Sequence, residues 1–321
     1  MENVNESLVD NGSFYLPGSY STYSDNVDVL FYVIFFLSVF IAALMFAATL
    51  IFLFKYRKRK DNMFAKKQLV HSNLLEFTWT FIPFVIVMII FYWGFKDYLE
   101  LTVAPEDAIE IRVTGVKWYW SFAYPEEGAE STGELYVPVN QPVKLVMSSK
   151  DVLHSFFIPN FRIKRDVLPN RYSNLWFEAT KEGSFQIFCT EYCGDSHSNM
   201  LANLHVVSQA EYKEKMEELA MGDDLPLDKL GEKLYKKAGC FSCHSIDGSA
   251  MVGPSWYQLY GAPRRQSDGS MGIADDNYIR ESIVYPQRVI VDGYPNVMNS
   301  YAGILDDNEL NALIEYIKTL K

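Results

Sequence analysis

The sequence predicts a multidomain membrane protein made of a two-helix transmembrane hairpin, an all-β domain and an all-α domain. Three patterns in its 321 residues carry this prediction. Two long apolar runs lie near the N-terminus, short alternating segments bounded by Gly, Pro and Asn fill the middle, and helical periodicity follows. Hydrophobic residues make up 49% of the chain and charged residues 21%, a mixture typical of a protein that lies partly in lipid and partly in water.

The first element is a transmembrane hairpin at residues 29–100, preceded by a polar external segment at residues 1–28. Residues 29–54 and 77–95 carry no charge, and each run is close to or above the about 20 helical residues that cross a bilayer. A buried core helix is the alternative for the shorter run. The basic residues cluster between the runs, from Lys55 to Lys67, and none precedes Lys55. This excess places the loop in the cytoplasm, so both termini and the later domains are expected outside.

The second element is an all-β domain at residues 104–208. Apolar and polar residues alternate in six short segments, at residues 109–114, 134–139, 142–147, 171–177, 183–188 and 203–207. Alternation with closely spaced turn residues predicts a sandwich or barrel whose strands bury one face. A charged helical stretch that ends in Gly222, Asp223, Asp224 and Pro226 then predicts a linker at residues 209–227.

The last element is an all-α domain at residues 228–321. An amphipathic stretch at residues 227–238 leads into it, and Asp306 with Glu309 fits a capping pair for a final helix. One apolar face of that helix is formed by Leu310, Leu313, Ile314 and Ile317. The net charge of −11 gives no support to a nucleic-acid partner.

The strongest chemical signal is a cluster of soft metal ligands in the motif C-x-E-x-C-G-x-x-H-x-x-M, together with His154 in an upstream H-S-F triplet. The candidate ligands within the motif are Cys189, Cys193, His197 and Met200. Two thiols, two imidazoles and a thioether favour copper or zinc over harder cations. A Cys₂His₂ zinc site is the structural alternative, but zinc sites seldom use Met, and the separation of His154 fits no compact zinc finger.

Two cysteines four residues apart can bridge two copper ions. A single blue-copper ion uses one Cys with two His, which would leave the second cysteine unused. A bridged pair can share one unpaired electron over both metals and both sulfurs, so little moves on oxidation or reduction and electron transfer is fast. Glu191, between the two cysteines, could add its backbone carbonyl. The motif therefore indicates an electron-transfer centre.

The second chemical signal is Cys240-Phe-Ser-Cys243-His244, a C-x-x-C-H motif. In this motif the cysteines form thioethers with a c-type haem and the His becomes an axial iron ligand. A zinc half-site or a dithiol is the alternative for C-x-x-C alone. A downstream Met is the expected second axial ligand, with Met298 favoured over Met271. All four cysteines are then assigned, two to copper and two to haem.

The copper motif and the upstream H-S-F triplet resemble those of subunit II of the haem–copper cytochrome c oxidases. A fused C-terminal C-x-x-C-H domain is similar to that of the caa-type oxidases. The resemblance implies a cupredoxin fold for the β domain and a CuA centre with the ligands His154, Cys189, Glu191 through its carbonyl, Cys193, His197 and Met200. It also implies that the Glu191 side chain holds a magnesium ion at the contact with subunit I.

Two further segments resemble the same family. Trp118-Tyr119-Trp120 is similar to the aromatic run that receives electrons, with Trp118 as the receiving residue. Packing within a strand is the expectation for Tyr119 and Trp120. Glu76-x-x-Trp79 resembles the start of the second membrane helix, where the glutamate lies at the cytoplasmic mouth of a proton path into subunit I. A solvated surface carboxylate is the alternative for Glu76.

The resemblance implies an electron-transfer subunit of a respiratory oxidase, anchored in the lipid of the bacterial cytoplasmic membrane. An upstream quinol-oxidising complex or a cytochrome c would supply electrons to haem c and then to the CuA pair. Haem a of subunit I would receive them, and that subunit, with other oxidase subunits, would reduce O₂ and pump protons. The alternative is a free-standing membrane-anchored carrier of copper and haem. A copper sensor or chaperone is disfavoured because it has no use for haem.

Overall fold

The structure, a computed structural model, describes residues 12–58, 71–220 and 225–321. Three predicted features lie partly outside these ranges. They are the start of the N-terminal segment, most of the basic loop between the apolar runs, and the Gly-Asp-Asp end of the linker.

Two long helices form the N-terminal part of the described chain, α1 at Ser24–Lys55 and α2 at Asn73–Thr102. Both are long and apolar enough to cross a membrane, and their large apolar side chains point outward, with Phe36 63% exposed. A helix that is apolar on all sides and exposed fits a lipid environment. The two predicted helices are confirmed, and they extend beyond the apolar runs because polar residues at their ends remain helical.

The described middle region contains ten strands. They are β1 Ile109–Val116, β2 Tyr119–Tyr124, β3 Ala129–Thr132, β4 Glu134–Pro138, β5 Pro142–Ser149, β6 His154–Ile158, β7 Ile163–Val167, β8 Ser173–Glu178, β9 Gly183–Cys189 and β10 Leu201–Val207. One sheet has the order β3-β2-β1-β5-β8 and the other β4-β10-β9-β6-β7. Most neighbours are antiparallel, but β1 pairs with β5 and β4 with β10 in parallel. The all-β prediction is confirmed.

The sandwich core lies between the two sheets, because alternate residues of each strand point inward. On β2 the inward residues Trp120, Phe122 and Tyr124 are fully buried. Trp120 also makes an edge-to-face contact with Phe156 of the opposite sheet. Burial of one large aromatic side chain of this kind stabilises the fold by about 2–3 kcal/mol. The copper motif therefore lies on a rigid support. This support consists of the start of β6, the end of β9 and the turn before β10.

The base of the sandwich is bound to the ends of both membrane helices. Arg162 donates through Nε and Nη2 to the two carboxylate oxygens of Asp28 in α1, at 2.6 and 2.9 Å. The Trp176 indole and the Tyr23 hydroxyl each donate to the Glu100 carbonyl of α2, at 3.0 Å. Since paired guanidinium–carboxylate contacts are directional, these bonds set the orientation of the sandwich relative to the helices.

Helices dominate the rest of the described chain. α3, at Gln209–Ala220, buries Tyr212 and Met216 in the sandwich core, so this charged stretch of the predicted linker is a helix packed on the β domain. The C-terminal domain consists of α4 Leu227–Lys237, α5 Asp276–Val284, α6 Asp307–Thr319 and a hairpin of β11 Pro263–Arg265 with β12 Met271–Ile273. Single 3₁₀ turns lie at Pro159–Phe161, His197–Asn199, Cys240–Ser242 and Pro286–Arg288.

The C-terminal domain is centred on the crossing of α4 and α6. Gly231 of α4 lies against the Ala312 carbonyl of α6, and a Cβ atom on Gly231 would overlap that carbonyl. The predicted apolar face of α6 is buried. Asp306 and Glu309 form the predicted capping box at its start. This crossing holds the C-terminal end of α4, which leads directly into the C-x-x-C-H motif.

The C-terminal domain contacts the β-sandwich. Thr132 Oγ1 donates to the Lys237 carbonyl at 2.9 Å. The Phe241 ring packs on Gly133, where a Cβ atom would lie 3.0 Å from the ring. Partly buried residues around the haem motif also pack against the sandwich core, namely Cys243, Val252 and Val297. The C-x-x-C-H motif therefore faces the β domain.

Candidate copper and haem sites

Five predicted copper-ligand side chains come together at one end of the sandwich. The Sγ atoms of Cys189 and Cys193 are 3.8 Å apart, and His154 Nδ1 lies 3.8 Å from Cys189 Sγ. On the other side, His197 Nδ1 and Met200 Sδ lie 3.4 and 3.7 Å from Cys193 Sγ. The donors are therefore arranged on both sides of the cysteine pair.

The cysteine pair has the spacing of two thiolates that share metal ions. A disulfide needs about 2.05 Å between its sulfurs, so this pair is not one. Two thiolates that each lie about 2.3 Å from one metal, at a near-tetrahedral angle, are about 3.8 Å apart. The Glu191 carbonyl, 3.4 Å from Cys189 Sγ, adds an oxygen donor. The residues present fit a dinuclear copper pair that the two thiolates, the imidazoles, the thioether and the carbonyl would hold.

Strand ends and a tight loop position these ligands. His154 begins β6 and Cys189 ends β9, its neighbour in the sheet. The loop is held by its backbone, because the Cys189 amide donates to the Met200 carbonyl at 3.2 Å and the Thr190 amide to the Ser155 carbonyl at 2.9 Å. His154 and Met200 are fully buried. The ligand set is thus fixed by the fold, which limits its movement when the oxidation state changes.

The surroundings of Cys189 favour its thiolate. The hydrogen bond between the two thiols lowers the pKa of Cys189; burial opposes this, and His154 adds to the lowering. The shared proton raises the pKa of Cys193 for the same reason. A coordinated thiol is deprotonated outright, so copper binding should displace this proton.

Asp151 is a contact of the copper site that the sequence patterns did not predict. One of its carboxylate oxygens lies 2.8 Å from His154 Nε2, and the other accepts from the Lys117 amide at 2.7 Å. Burial would raise its pKa, but hydrogen bonds from His154 and from the Lys117 and Val152 amides lower the pKa of Asp151 to about 2. The carboxylate fixes the His154 ring with Nδ1 toward the cysteines. The sequence alone could not have indicated this contact of Asp151 with His154, because a carboxylate three residues before a His is a common pattern.

Asp151→Asn should weaken copper binding while the sandwich stays folded. Asparagine keeps the shape but removes the charge that orients His154, and such partners of metal ligands contribute about 10–100-fold in affinity. Chelator titration followed by EPR measures the loss of copper. Asp195→Asn is the control, since Asp195 is an exposed carboxylate of the same loop. Equal copper retention in the two variants would contradict this role of Asp151.

Trp118 connects the copper loop to the second domain. Its indole Nε1 donates to the Cys193 carbonyl at 3.2 Å, and the side chain is 4% exposed. Gly194 makes room for the ring, since a Cβ atom there would lie 3.1 Å from Trp118 Cζ2. Trp120 packs in the sandwich core, as expected for a strand residue. Tyr119 departs from that expectation, because its ring lies at the contact with the C-terminal domain.

A mostly apolar cavity lies where the two domains meet. Cys240, Cys243 and His244 of the C-x-x-C-H motif line it, together with Trp118 and Tyr119 of the β domain. Burial raises the pKa of both motif cysteines, opposite to the shift of the first copper-motif cysteine. The C-x-x-C-H motif therefore lines an apolar space that could take a cofactor.

His244 is oriented as an iron ligand. Its Nδ1 donates to the Pro254 carbonyl at 2.7 Å, which leaves Nε2 as the atom available to a metal. Gly253 allows this approach, because a Cβ atom there would lie 2.7 Å from His244 Cε1. Burial lowers the pKa of His244, so the ring is held in the neutral form that binds metals.

The two candidate Met ligands occupy different places. Met298 lines the same cavity as His244 and packs against the core of the C-terminal domain. Met271 lies on β12, is 65% exposed and does not line this cavity. The geometry therefore supports Met298 over Met271 as the second axial ligand, and the assignment stays a prediction.

Two residues that line the cavity have a buried donor without a hydrogen-bond partner among the described residues, and they test the fit of a haem. These donors are Arg264 Nε and the Tyr278 hydroxyl. Leaving one such donor unpaired costs about 1–3 kcal/mol, so a bound group should satisfy them. Haem carries two propionate carboxylates, which a guanidinium and a hydroxyl can bind. The residues present fit haem c, although neither donor lies in a recognisable local motif.

Glu76 lies in the first turn of α2. His71 Nδ1 is 2.9 Å from Glu76 Oε1, and both side chains are exposed. His71 therefore lies beside Glu76 at this end of the helix.

Comparison with known proteins gives matches along most of the chain. The transmembrane domain of cytochrome c oxidase subunit II matches residues 10–96, its periplasmic domain residues 129–207, and cytochrome c residues 229–321. Cytochrome c oxidase subunit 2 of Alkalihalophilus pseudofirmus is 28% identical over 89% of this chain and 85% of its own length. That of Bacillus subtilis is 29% identical over 83% and 80%. The periplasmic domain of subunit II of cytochrome oxidase from Bradyrhizobium japonicum is 32% identical, covers 36% of this chain and 96% of its own, and aligns with a TM-score of 0.36.

Proposed function

Because this chain belongs to the cytochrome c oxidase subunit II family and carries a C-terminal cytochrome c domain, we propose that it is the electron-receiving subunit of a respiratory terminal oxidase. An upstream quinol-oxidising complex or a cytochrome c supplies electrons to its haem c. They continue through the CuA pair to haem a of subunit I, where O₂ is reduced to water with proton pumping. The chain is one subunit of an oxidoreductase whose oxygen site lies on its partner.

One observation carries this proposal: Trp118 belongs to both sites. It lines the cavity that contains the C-x-x-C-H motif, and its indole donates to the Cys193 carbonyl in the copper loop. A single buried aromatic residue therefore contacts the copper loop and lines the cavity of the C-x-x-C-H motif.

The residues of this chain hold the two groups. For copper we propose the ligands His154, Cys189, the Glu191 carbonyl, Cys193, His197 and Met200. We propose that Cys240 and Cys243 would hold haem c through thioether bonds, that His244 and Met298 would be its iron ligands, and that Arg264 and Tyr278 would contact its propionates. When bound, each group supplies a one-electron redox centre. The protein fixes the donor atoms, sets the charge around them and keeps them apart from water.

The two long apolar helices and the basic loop between them support a membrane arrangement. In this proposal α1 and α2 cross the bacterial cytoplasmic membrane with the loop in the cytoplasm, and the copper and haem domains lie on the periplasmic side. Subunit I and other oxidase subunits are the partners. The Glu191 carboxylate would hold a magnesium ion with further ligands from subunit I. A free-standing membrane-anchored carrier is the alternative function, and it requires neither subunit I nor Glu76.

Metal, haem and subunit analysis of the detergent-purified complex tests the proposed function. We expect a copper pair and one covalent haem c on this chain, together with copurified subunit I. Stopped-flow reduction should show the reduction of haem c before that of copper. A chain that purifies alone with its full metal content would instead support the free-standing carrier.

Glu76→Ala should lower oxygen-reduction turnover while electrons still reach haem a. Glu76 and His71 form a pair of titratable groups at the end of α2 that the basic loop assigns to the cytoplasm, where protons are collected. Removing the carboxylate slows proton delivery but leaves both metal centres intact. Steady-state oxygen uptake combined with stopped-flow reduction separates the two effects.

Glu100→Gln is the control for Glu76→Ala. Glu100 lies on the same helix toward its opposite end and forms an exposed ion pair with Lys96 at 3.5 Å, of a kind that contributes little. We expect parent-like turnover in that variant. Unchanged turnover in a fully assembled Glu76→Ala complex would make Glu76 an ordinary solvated carboxylate.

A further inference from the structure

The β-domain surface formed by β2 and β3 is covered by the C-terminal domain. Besides the contacts of Thr132 and Gly133, the Glu130 carboxylate lies 3.6 Å from Lys237 Nζ. Tyr119, at the start of β2, extends this contact up to the haem cavity, which it lines. Burial raises the pKa of Tyr119 to about 12, in keeping with a hydroxyl withdrawn from water.

Tyr119 of the β domain packs against Gly239, the residue before the haem-attachment motif. Gly239 has a φ of 75°, and a Cβ atom built on it would lie within 2.7 Å of three Tyr119 ring carbons. The ring therefore packs directly on the Gly239 backbone. From within the C-terminal domain, the Tyr301 hydroxyl donates to the Ala238 carbonyl at 2.7 Å and holds this turn in place.

We propose that the contact of Tyr119 with Gly239 positions haem c against Trp118 and reserves this surface for the chain's own cytochrome domain. The proposal rests on the proposed function and adds Tyr119 to it as a positioning residue. Tyr119 follows Trp118 in the chain, and Gly239 precedes Cys240. The contact of Tyr119 with Gly239 therefore sets the distance between the haem-attachment site and Trp118. While it is made, a soluble donor cannot reach Trp118 and must deliver its electron to haem c.

Gly239→Ala tests this contact, and Gly261→Ala is its matched control. The two glycines have φ values of 75° and 77°, so alanine imposes similar backbone strain at both. A Cβ atom at Gly261 meets nothing within 4 Å, whereas at Gly239 it displaces the Tyr119 ring. In the detergent-purified complex we expect Gly239→Ala to slow electron transfer from haem c to copper about tenfold or more, because transfer depends steeply on position. Gly261→Ala should keep the parent rate.

Hydrogen–deuterium exchange of the β2–β3 segment gives a readout that does not depend on electron transfer. Exchange should rise in Gly239→Ala and stay at the parent level in Gly261→Ala, with an unchanged haem spectrum and copper EPR in both. Tyr119→Leu, which alters only the β-domain side, should reproduce the slower transfer. Tyr119→Phe keeps the ring and should keep the parent rate.

Equal slowing in the two glycine variants would assign the effect to backbone strain and overturn the proposal. Parent-like transfer and exchange in Gly239→Ala, or in Tyr119→Leu, would overturn it as well. A parent complex in which electrons never pass from haem c to copper would overturn the proposed function itself, whatever the exchange result.

Discussion

Cys193→Ser should remove the dinuclear copper centre and stop the flow of electrons to oxygen. The donor atoms of Cys189, His197 and Met200 all lie within 3.8 Å of Cys193 Sγ, so this sulfur is where the ligand set converges. Serine fills a similar space but offers a hard oxygen donor that does not replace a bridging thiolate. We expect the mixed-valence EPR signal to disappear and oxygen uptake to fall to near background, while haem c is still reduced.

Met200→Leu is the comparison for Cys193→Ser. Met200 is fully buried, and leucine is close to it in volume, so the loop should keep its packing. Both thiolates remain, and we expect a dinuclear centre with an altered potential and slower transfer to haem a. A normal dinuclear EPR spectrum in Cys193→Ser would contradict the ligand assignment.

Met298→Ala should leave haem c attached but remove the thioether band near the red end of the oxidised spectrum. Attachment depends on Cys240 and Cys243, which the substitution does not touch. The iron loses one axial ligand, and because a Met ligand raises the reduction potential, the potential should fall. Absorption spectra and a redox titration measure both effects.

Met271→Ala is the matched control, because Met271 is a mostly exposed side chain of the same domain. Its spectrum and potential should equal those of the parent chain. If Met271→Ala loses the band and Met298→Ala keeps it, the axial ligand is Met271.

Features that depend on a few neighbouring residues could be predicted from the sequence. The capping box of Asp306 and Glu309 lies within one helical turn, and the buried face of α6 follows from its spacing. Most of the copper ligands lie in one loop of twelve residues, which folds on itself through its own backbone hydrogen bonds. The apolar runs were likewise sufficient for the membrane helices, and the six alternating segments correspond to β1, β4, β5, β8, β9 and β10 of the ten described strands.

Contacts between distant segments could not be predicted in this way. Arg264 and Tyr278 reach the haem cavity only through the packing of the C-terminal domain. α3 has a charged composition that indicates a linker, yet Tyr212 and Met216 suffice to pack it on the sandwich. Tyr119 follows the alternation of a strand, and nothing in that pattern shows that another domain covers it.

A haem cavity whose wall belongs to two domains makes reduction and domain association thermodynamically linked. Trp118 and Tyr119 add apolar surface to the cavity wall, and a less polar environment would disfavour the extra positive charge of ferric iron. If association of the two domains favours the ferrous haem, reduction of the haem must favour association by the same free energy. With haem c bound as proposed, the two domains would therefore associate most tightly in the reduced state.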